Sequence, residues 1–176
     1  MSSSDLTPFS YAILVLVGRG GSGPHDLVRM ARAGRIYAAA AESQYYAEPK
    51  RLERLGYLSA RKEPGKTRER THYSLTPKGL EALHAWARGP VRFPRVLHEG
   101  VVRLLAADLV GEKPVREAIT MLRQELDELE ALADNAEEAA ATLPHREKYL
   151  RINHRLALRL IAAHRDWIAD VERELG

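Results

Sequence analysis

Apolar residues recur at helical spacing over most of the 176-residue chain, and short strand-like runs interrupt this pattern only near residues 57–75. Thr7-Pro8 supplies an N-cap followed by a first helical residue, which predicts a helix to about Val17. Pro24 opens a second predicted helix, and Thr76-Pro77 repeats the cap-and-proline start for a helix to about residue 88. The first ninety residues are therefore predicted to be short helices around one small strand pair.

Residues 43–75 hold the pattern around which the rest of the chain is organised. A polar and basic helix stopped by Gly56 precedes two short strands, at about 57–63 and 70–75, which a basic turn joins. Helix, glycine, strand, charged turn and strand form the sequence pattern of a winged helix-turn-helix. Strands this short need a neighbouring core, and the charged turn needs a partner of opposite sign such as DNA phosphate. A solvated basic hairpin without a partner is the alternative.

The second half of the chain is predicted to be entirely helical, with helices at about 98–110, 114–142 and 145–175. The long middle helix repeats apolar residues in alternating steps of four and three, which is the seam of a coiled coil. The last helix has two adjacent apolar stripes, too wide an arc for one neighbour to cover. We therefore expect dimerisation through the C-terminal helices, with an interface formed by Ile119, Leu122, Leu126, Leu156, Leu160, Ile161, Trp167, Ile168 and Val171.

The expected fold class is mainly α with a small β-wing. A winged helix-turn-helix over residues 1–90 is followed by a proline-bounded linker at 91–96 and a helical, coiled-coil-like dimerisation domain over 97–176. The first ninety residues carry 14 Lys and Arg against 8 Asp and Glu, whereas the remainder carries 13 against 16. A basic half joined to an acidic half indicates that one part of the chain meets a polyanion.

Several other chemistries find no support in the sequence. The chain has no cysteine, its seven histidines show no metal-ligand spacing, and no nucleophile elbow occurs. Residues 60–67 fit a loosened P-loop pattern, but a strand follows where a helix is needed, and the glycine-rich run at 18–23 is expected to be a turn. The N-terminus is not a signal peptide, and the longest nearby apolar run is too short for a bilayer. We expect a cytoplasmic protein without enzymatic activity, cofactor or metal.

The recognition helix of a winged helix presents its N-terminal residues to base edges in the major groove. Gln44 can pair with adenine, and the adjacent tyrosines can reach phosphates or thymine methyl groups, although Tyr46 could belong to the core instead. Basic residues further along suit phosphate or guanine, and those of the hairpin suit the DNA backbone or minor groove. The predicted DNA-binding residues are Ser43, Gln44, Tyr45, Tyr46, Lys50, Arg51, Arg54, Lys62, Lys66, Arg68, Arg70 and His72.

These residues resemble the PadR-like family of winged-helix transcriptional regulators. The segment SQYYAEPKRLERLGYL at 43–58 is similar to the family's recognition helix and strand start, and HYSLTPKG at 72–79 to its return strand and next helix. Phe93-Pro94-Arg95 resembles the linker, and the final helix with Trp167 resembles the dimerisation helix. The resemblance implies a homodimer on a pseudo-palindromic double-stranded DNA operator, mostly as a repressor that a small aromatic or drug-like effector releases.

Two departures from the family leave alternatives open. Pro49 stands inside the recognition helix, which either kinks at Tyr45–Tyr46 or starts late with this proline in its first turn. Pro24-His25 replaces Gly-Tyr.

The two tryptophans, Trp86 and Trp167, are candidates for an effector cavity between the C-terminal helices and the winged domain, with simple core packing as the alternative. A chain whose winged domain does not bind DNA would instead be a helical interaction module or a ligand-sensing dimer.

Overall fold

The computed structural model describes residues 5–18, 20–33, 40–64, 69–94 and 97–176, except the side chains of Ala33 and Ala139. The chain divides into two compact units, residues 1–92 and 93–176. The first unit contains α1 (Pro8–Val17), α2 (Pro24–Ala33), α3 (Glu42–Arg54), β1 (Leu58–Glu63), β2 (Arg70–Leu75) and α4 (Pro77–Ala87). The second unit contains α5 (Glu99–Leu105), α6 (Ala107–Val110), α7 (Glu112–Thr120), α8 (Leu122–Ala140) and α9 (Glu147–Glu174).

The described residues confirm the expected fold class, because they are mostly helical and contain one small sheet. Strands β1 and β2 pair in antiparallel fashion, with Leu58 opposite Leu75 and Glu63 opposite Arg70. The loosened P-loop pattern begins inside β1, and the next element along the described chain is a second strand. Among the described residues, no helix follows directly after this pattern to hold a phosphate.

The start of α1 follows directly from its sequence. Thr7 is the N-cap: its hydroxyl accepts a hydrogen bond from the Ser10 backbone N–H at 3.2 Å, and the Ser10 hydroxyl accepts one from the Thr7 N–H at 2.9 Å. This reciprocal pair is a capping box. The helix then places Ile13, Leu14 and Val17 in the core of the first unit.

The described part of the glycine-rich run is a turn that also borders the sheet. Ser22 and Tyr73 exchange two backbone hydrogen bonds of 2.9 and 3.0 Å, so the loop adds a bridge to β2. Gly21 has φ +75°, and a Cβ built there would lie 2.1 Å from Nε2 of His72. Only glycine tolerates both the backbone angle and the close contact.

The first unit has a single described core, to which both strands and the first three helices contribute. Its aromatic members lie at the contacts between elements, as shown by the edge-to-face pair of Phe9 and Tyr45 with ring centroids 5.1 Å apart. Trp86 is half exposed in this chain and stacks on Tyr11 at 4.9 Å. The buried apolar residues are Leu6, Ile13, Leu14, Val17, Leu27, Val28, Tyr45, Leu52, Leu58 and Tyr73.

Two of the helices predicted for the second unit are each divided in the structure. The helix expected at 98–110 becomes α5 and α6, separated at Ala106, and the one expected at 114–142 becomes α7 and α8, separated at Met121. At the second division the backbone N–H of Gln124 donates to the carbonyl of Met121 at 3.3 Å. This three-residue spacing tightens the helical turn locally.

The predicted coiled-coil seam is formed within the chain, where α7 and α8 pack on α9. Polar side chains tie the helices together along this contact. The Arg123 guanidinium lies 2.6 Å from Glu172, and Arg165 lies 2.6 Å from Asp127 and 2.7 Å from Glu130. The buried residues of the seam are Val115, Ile119, Leu126, Ala133 and Ala140, with Ala157, Ile161, Ile168 and Val171 on α9.

This packing corrects part of the predicted dimer interface. Five of the nine proposed interface residues are at most 4% exposed, because the first stripe of α9 and the seam cover each other within one chain. They cannot make substantial contact with another protein. These residues are Ile119, Leu126, Ile161, Ile168 and Val171.

The second stripe of α9 remains uncovered in the single chain. Tyr149, Ile152, Leu156 and Leu160 are between 37% and 64% exposed. Trp167 at the end of this stripe is partly buried instead, because its ring lies edge-on to His98 with centroids 5.4 Å apart.

His98 joins the start of α5 to α9. Its Nδ1 accepts from the Val101 backbone N–H at 3.2 Å, while its Nε2 lies 2.9 Å from Nε2 of His164. Nδ1 of His164 in turn donates to the Leu160 carbonyl at 2.7 Å. One assignment of protons satisfies all three contacts: His98 carries its proton on Nε2 and His164 carries its proton on Nδ1.

None of the helices in the described part of the chain combines the length and the apolar character that crossing a membrane requires.

Candidate nucleic-acid interface

Helix α3 has one face in the core and the opposite face in solvent. It begins at Glu42, seven residues before Pro49, so the late-start alternative is wrong. Tyr45, Pro49 and Leu52 are buried, at steps of four and three residues. The proline is apolar and lies on the face of α3 that packs inward.

The solvent face of α3 forms a shallow, open groove. Its two cations, Lys50 and Arg54, are exposed and form no ion pair with any described residue. Glu53 is the single acidic side chain among the groove residues. Gln44 is exposed beside the groove. The lining residues are Ser43, Tyr46, Ala47, Lys50, Glu53 and Arg54.

The structure corrects the expectation for Tyr45, which was among the predicted DNA-binding residues. Tyr45 is 6% exposed and packs edge-on against Phe9 of α1, so its ring belongs to the core. Burial raises the pKa of its hydroxyl. Of the two adjacent tyrosines, Tyr46 is therefore the one that lines the groove.

Tyr46 is held by a residue that the predicted DNA-binding set omitted. Its hydroxyl lies 3.1 Å from Nδ1 of His25 at the start of α2, and the two rings meet edge-to-face at 5.6 Å. In the sequence, His25 stands out only as part of the Pro24-His25 departure, and nothing in the sequence pattern indicates its contact with Tyr46.

Arg51 is also corrected, since its guanidinium turns toward α1. Nε and Nη2 donate to the two carboxylate oxygens of Glu48 at 2.9 and 2.7 Å, and Nη1 donates to the Asp5 carbonyl at 2.9 Å. The hydroxyl of Ser10 donates to Glu48 at 2.6 Å. Hydrogen bonds from Arg51 are the main cause of a lowered pKa at Glu48, so its charge persists below the range in which an ordinary glutamate protonates.

The wing contributes three exposed cations in its described part, Arg61, Lys62 and Arg70. Lys62 donates to the Thr71 hydroxyl at 3.1 Å, and Arg70 lies 3.7 Å from Glu63. Arg61 at 2.6 Å is the main cause of a lowered pKa at Glu63. The predicted contacts Lys66 and Arg68 lie outside the described residues.

His72, the last predicted wing contact, is turned toward the glycine-rich loop. Its Nε2 lies 3.2 Å from the Gly20 carbonyl, and its side chain is only 24% exposed. The bridge between Ser22 and β2 brings this loop across the strand, so the His72 ring already has a partner within the chain, and its contact with DNA stays a prediction.

Among the described residues, no three His, Asp or Glu side chains come together as a metal ion would require. The arrangement consists of a helix anchored in the core, a polar and basic groove on its outer face, and a two-stranded wing after it. This defines a winged helix-turn-helix unit, to which the chain adds a separate helical unit.

No family model matches the sequence, and no curated protein matches it. Solved structures match nearly the whole chain. Bacillus subtilis PadR in complex with operator DNA is 20% identical, with 98% of each chain covered and a TM-score of 0.75. A PadR-like transcriptional regulator from Bacillus cereus is 13% identical over 99% of this chain and 98% of that one, with a TM-score of 0.71. The Vibrio cholerae virulence activator AphA is 25% identical over 94% and 96%, with a TM-score of 0.72. The chain has the fold of the PadR-like transcriptional regulators, which confirms the resemblance at the level of fold.

Proposed function

We propose that this protein is a DNA-binding transcriptional regulator of the PadR-like type, acting as a homodimer in the cytoplasm and without enzymatic activity. The solvent face of α3 is the observation that carries the proposal. It presents hydroxyl groups and two cations that form no ion pair with a described residue, on a helix whose other face is fixed in the core. Groups of this kind suit base edges and phosphates in the major groove.

Each residue assigned to DNA has a contact that fits its chemistry. Ser43, Gln44 and Tyr46, near the N-terminus of α3, suit base edges, since this end of a recognition helix enters the groove. Lys50 and Arg54 suit phosphate or guanine. The wing residues Lys62, Lys66, Arg68 and Arg70 are assigned to the DNA backbone. Binding to backbone phosphates depends on charge and not on base sequence.

The uncovered stripe of α9 supports the homodimer. Leu156 and Leu160 lie at its centre, where burial against a second copy removes apolar surface from water. A two-fold dimer presents two copies of α3, which matches a pseudo-palindromic operator.

Repression of the target genes, relieved when a small aromatic or drug-like effector releases the protein from DNA, completes the proposal. Bacillus subtilis PadR has been solved with operator DNA and with p-coumaric acid, which supports both parts by analogy. AphA is described as an activator, so the sign of regulation does not follow from the fold. Trp86 and Trp167 remain the candidate effector contacts.

Fluorescence anisotropy tests DNA binding directly. The probes are a duplex spanning the promoter of the protein's own gene and a scrambled duplex, each measured at several salt concentrations. We expect tight, salt-sensitive binding that prefers the promoter duplex. The Lys50→Ala/Arg54→Ala variant should bind more weakly, and its log–log salt slope should fall by about 0.9 for each phosphate that the variant no longer neutralises.

Arg88→Ala is the control, because Arg88 is exposed at the end of α4 and lies outside the groove. Equal salt slopes for the groove variant and this control would contradict the assigned contacts. A wild-type protein that binds neither duplex at low salt would favour the helical interaction module. Added planar aromatic acids should release the promoter duplex if the effector proposal holds.

A further inference from the structure

We propose that Glu48, together with Ser10 and Arg51, is a positioning group for DNA recognition that ties α3 to the start of α1 and sets the orientation of the groove. This inference rests on the proposed DNA-binding function. Glu48 and Arg51 lie outside the groove, so their effect on DNA would pass through the placement of Lys50, Arg54 and Tyr46.

Pro49 weakens the backbone hydrogen bonding of α3, so side-chain contacts to another element have a larger part in fixing this helix. A proline inside a helix has no N–H to donate to the carbonyl four residues earlier, here that of Tyr45, and its ring crowds that carbonyl. The backbone ladder therefore holds the reading face less firmly at this point. Glu48 and Arg51 flank the proline, and their side chains supply fixed contacts outside the helix.

Ser10 is the centre of the connection. It is 0% exposed, and its hydroxyl has one proton to donate and two lone pairs to accept. The proton goes to Glu48 at 2.6 Å, and the lone pairs accept from the Thr7 N–H at 2.9 Å and from Arg51 Nη2 at 3.0 Å. The same hydroxyl therefore completes the N-cap of α1 and holds α3.

The contact is built to be rigid. Arg51 and Glu48 form a bidentate pair, and both side chains are mostly shielded from solvent, with 33% and 14% exposure. Charge-assisted, bidentate bonds of this kind are short and directional, unlike most ion pairs at an open surface. A fourth bond from Arg51, to the Asp5 carbonyl, extends the network to the chain before α1.

The charge of Glu48 allows a test in which positioning and simple electrostatics have opposite signs. Glu48→Gln removes a negative charge from a helix that binds a polyanion, so electrostatics alone would raise the affinity for every duplex. Loss of positioning would lower the affinity for the specific duplex. Glu53→Gln is the matched control, since it removes the same charge from the same helix but at the groove itself.

The experiment uses a duplex that the wild-type protein selects from a random pool, with a scrambled duplex beside it. We expect Glu48→Gln to bind the specific duplex at least about fivefold more weakly, comparable to one mismatched base pair in the site, and to show a smaller ratio of specific to scrambled binding. Its salt slope should equal that of the wild type, because no phosphate contact is removed. Glu53→Gln should bind the scrambled duplex at least as tightly as the wild type.

Ser10→Ala provides an independent variant, because it keeps the Glu48–Arg51 pair and removes the Ser10 link between α1 and α3. It also removes one of the two bonds of the α1 capping box, which the comparison of the two duplexes takes into account. It should lower the same ratio, and the double variant with Glu48→Gln should lose less than the sum of the two single effects. A fall in the folded fraction alone scales binding to both duplexes equally. The ratio therefore separates positioning from general destabilisation.

An unchanged ratio in both Glu48→Gln and Ser10→Ala overturns the inference, whether affinity rises, stays constant or falls equally on both duplexes. A lower salt slope in Glu48→Gln also overturns it. A wild-type protein that selects no duplex overturns the proposed function and this inference together, and that result is visible before any variant is made.

Discussion

At the scale of single residues, neighbouring side chains of α3 lie in different environments. Tyr45 packs in the core against Phe9, whereas Tyr46 lies at the groove with its hydroxyl near His25. Lys50 is exposed, whereas Arg51 pairs with Glu48. A rotation of about 100° per residue separates such neighbours, so side chains of equal chemistry have different roles.

The two tyrosines give a prediction that separates core packing from DNA contact. Tyr45→Ala should lower the free energy of unfolding by about 3–5 kcal/mol, because it empties a buried aromatic site. Tyr45→Phe should keep both stability and DNA affinity close to the wild type. Tyr46→Ala should instead weaken DNA binding and cost less stability, since this side chain lines the groove.

Urea unfolding and anisotropy on the same preparations make the comparison. A marked loss of DNA affinity in Tyr45→Phe, with stability unchanged, would show that the Tyr45 hydroxyl contacts DNA.

At the scale of elements, the ends of the helices are set by local chemistry and then connected by side chains to distant elements. Thr7 and Thr76 cap α1 and α4, each followed by proline as the sequence predicts. His98 caps α5 and also reaches His164 on α9. The sequence predicted a helix from about residue 98, but the cap by His98 and its contact with α9 are visible only in the packed structure.

This double role gives a prediction for α5. His98→Ala removes the cap and leaves Nε2 of His164 without its partner, so it should cost about 1 kcal/mol or more in unfolding free energy. His98→Asn should recover most of the cap contribution, because asparagine is among the best N-cap residues.

Urea denaturation of the full-length protein measures both variants under identical conditions. Equal losses for alanine and asparagine would show that the bond to His164, rather than the cap, supplies the stability.

At the scale of the whole molecule, α9 has two stripes with different partners. One stripe is buried against α7 and α8 of the same chain, and the other remains exposed. An apolar stripe of this length on a long helix is the kind of surface that oligomers bury. The proposed dimer therefore depends on the second stripe alone.

The dimer is tested by placing charge on that stripe. Leu156→Glu/Leu160→Glu should convert the protein to a monomer in sedimentation velocity at micromolar concentration, because burying two carboxylates opposes association. The folded monomer should remain, since both leucines lie outside the buried seam. Ala162→Glu adds the same type of charge at an exposed α9 position away from the stripe and should remain dimeric.

A wild-type protein that sediments as a monomer at this concentration would refute the dimer. A double variant that stays dimeric would show that the dimer interface lies on a surface other than this stripe.

Most of the elements could be predicted from the sequence, because their signals are local. Proline and threonine at helix starts, Gly56 after α3, and the change from helical to strand spacing depend only on neighbouring residues. These signals placed α1, α3, the two strands and α9 close to their observed bounds, and they were sufficient for the fold class.

The partner of each element's face depends on how the elements pack together. The sequence pattern carries no information about these partners. Arg51 and Glu48 are an i,i+3 pair within α3, but their contact with Ser10 exists only because α1 packs beside α3. His72 contacts the carbonyl of Gly20, which lies 52 residues earlier in the chain. Ile161 and Ile168 are not available to the predicted dimer interface, because α7 and α8 of the same chain bury them. A periodic pattern shows that a face is buried but carries no information about its partner, since burial removes apolar surface from water whichever chain supplies the cover.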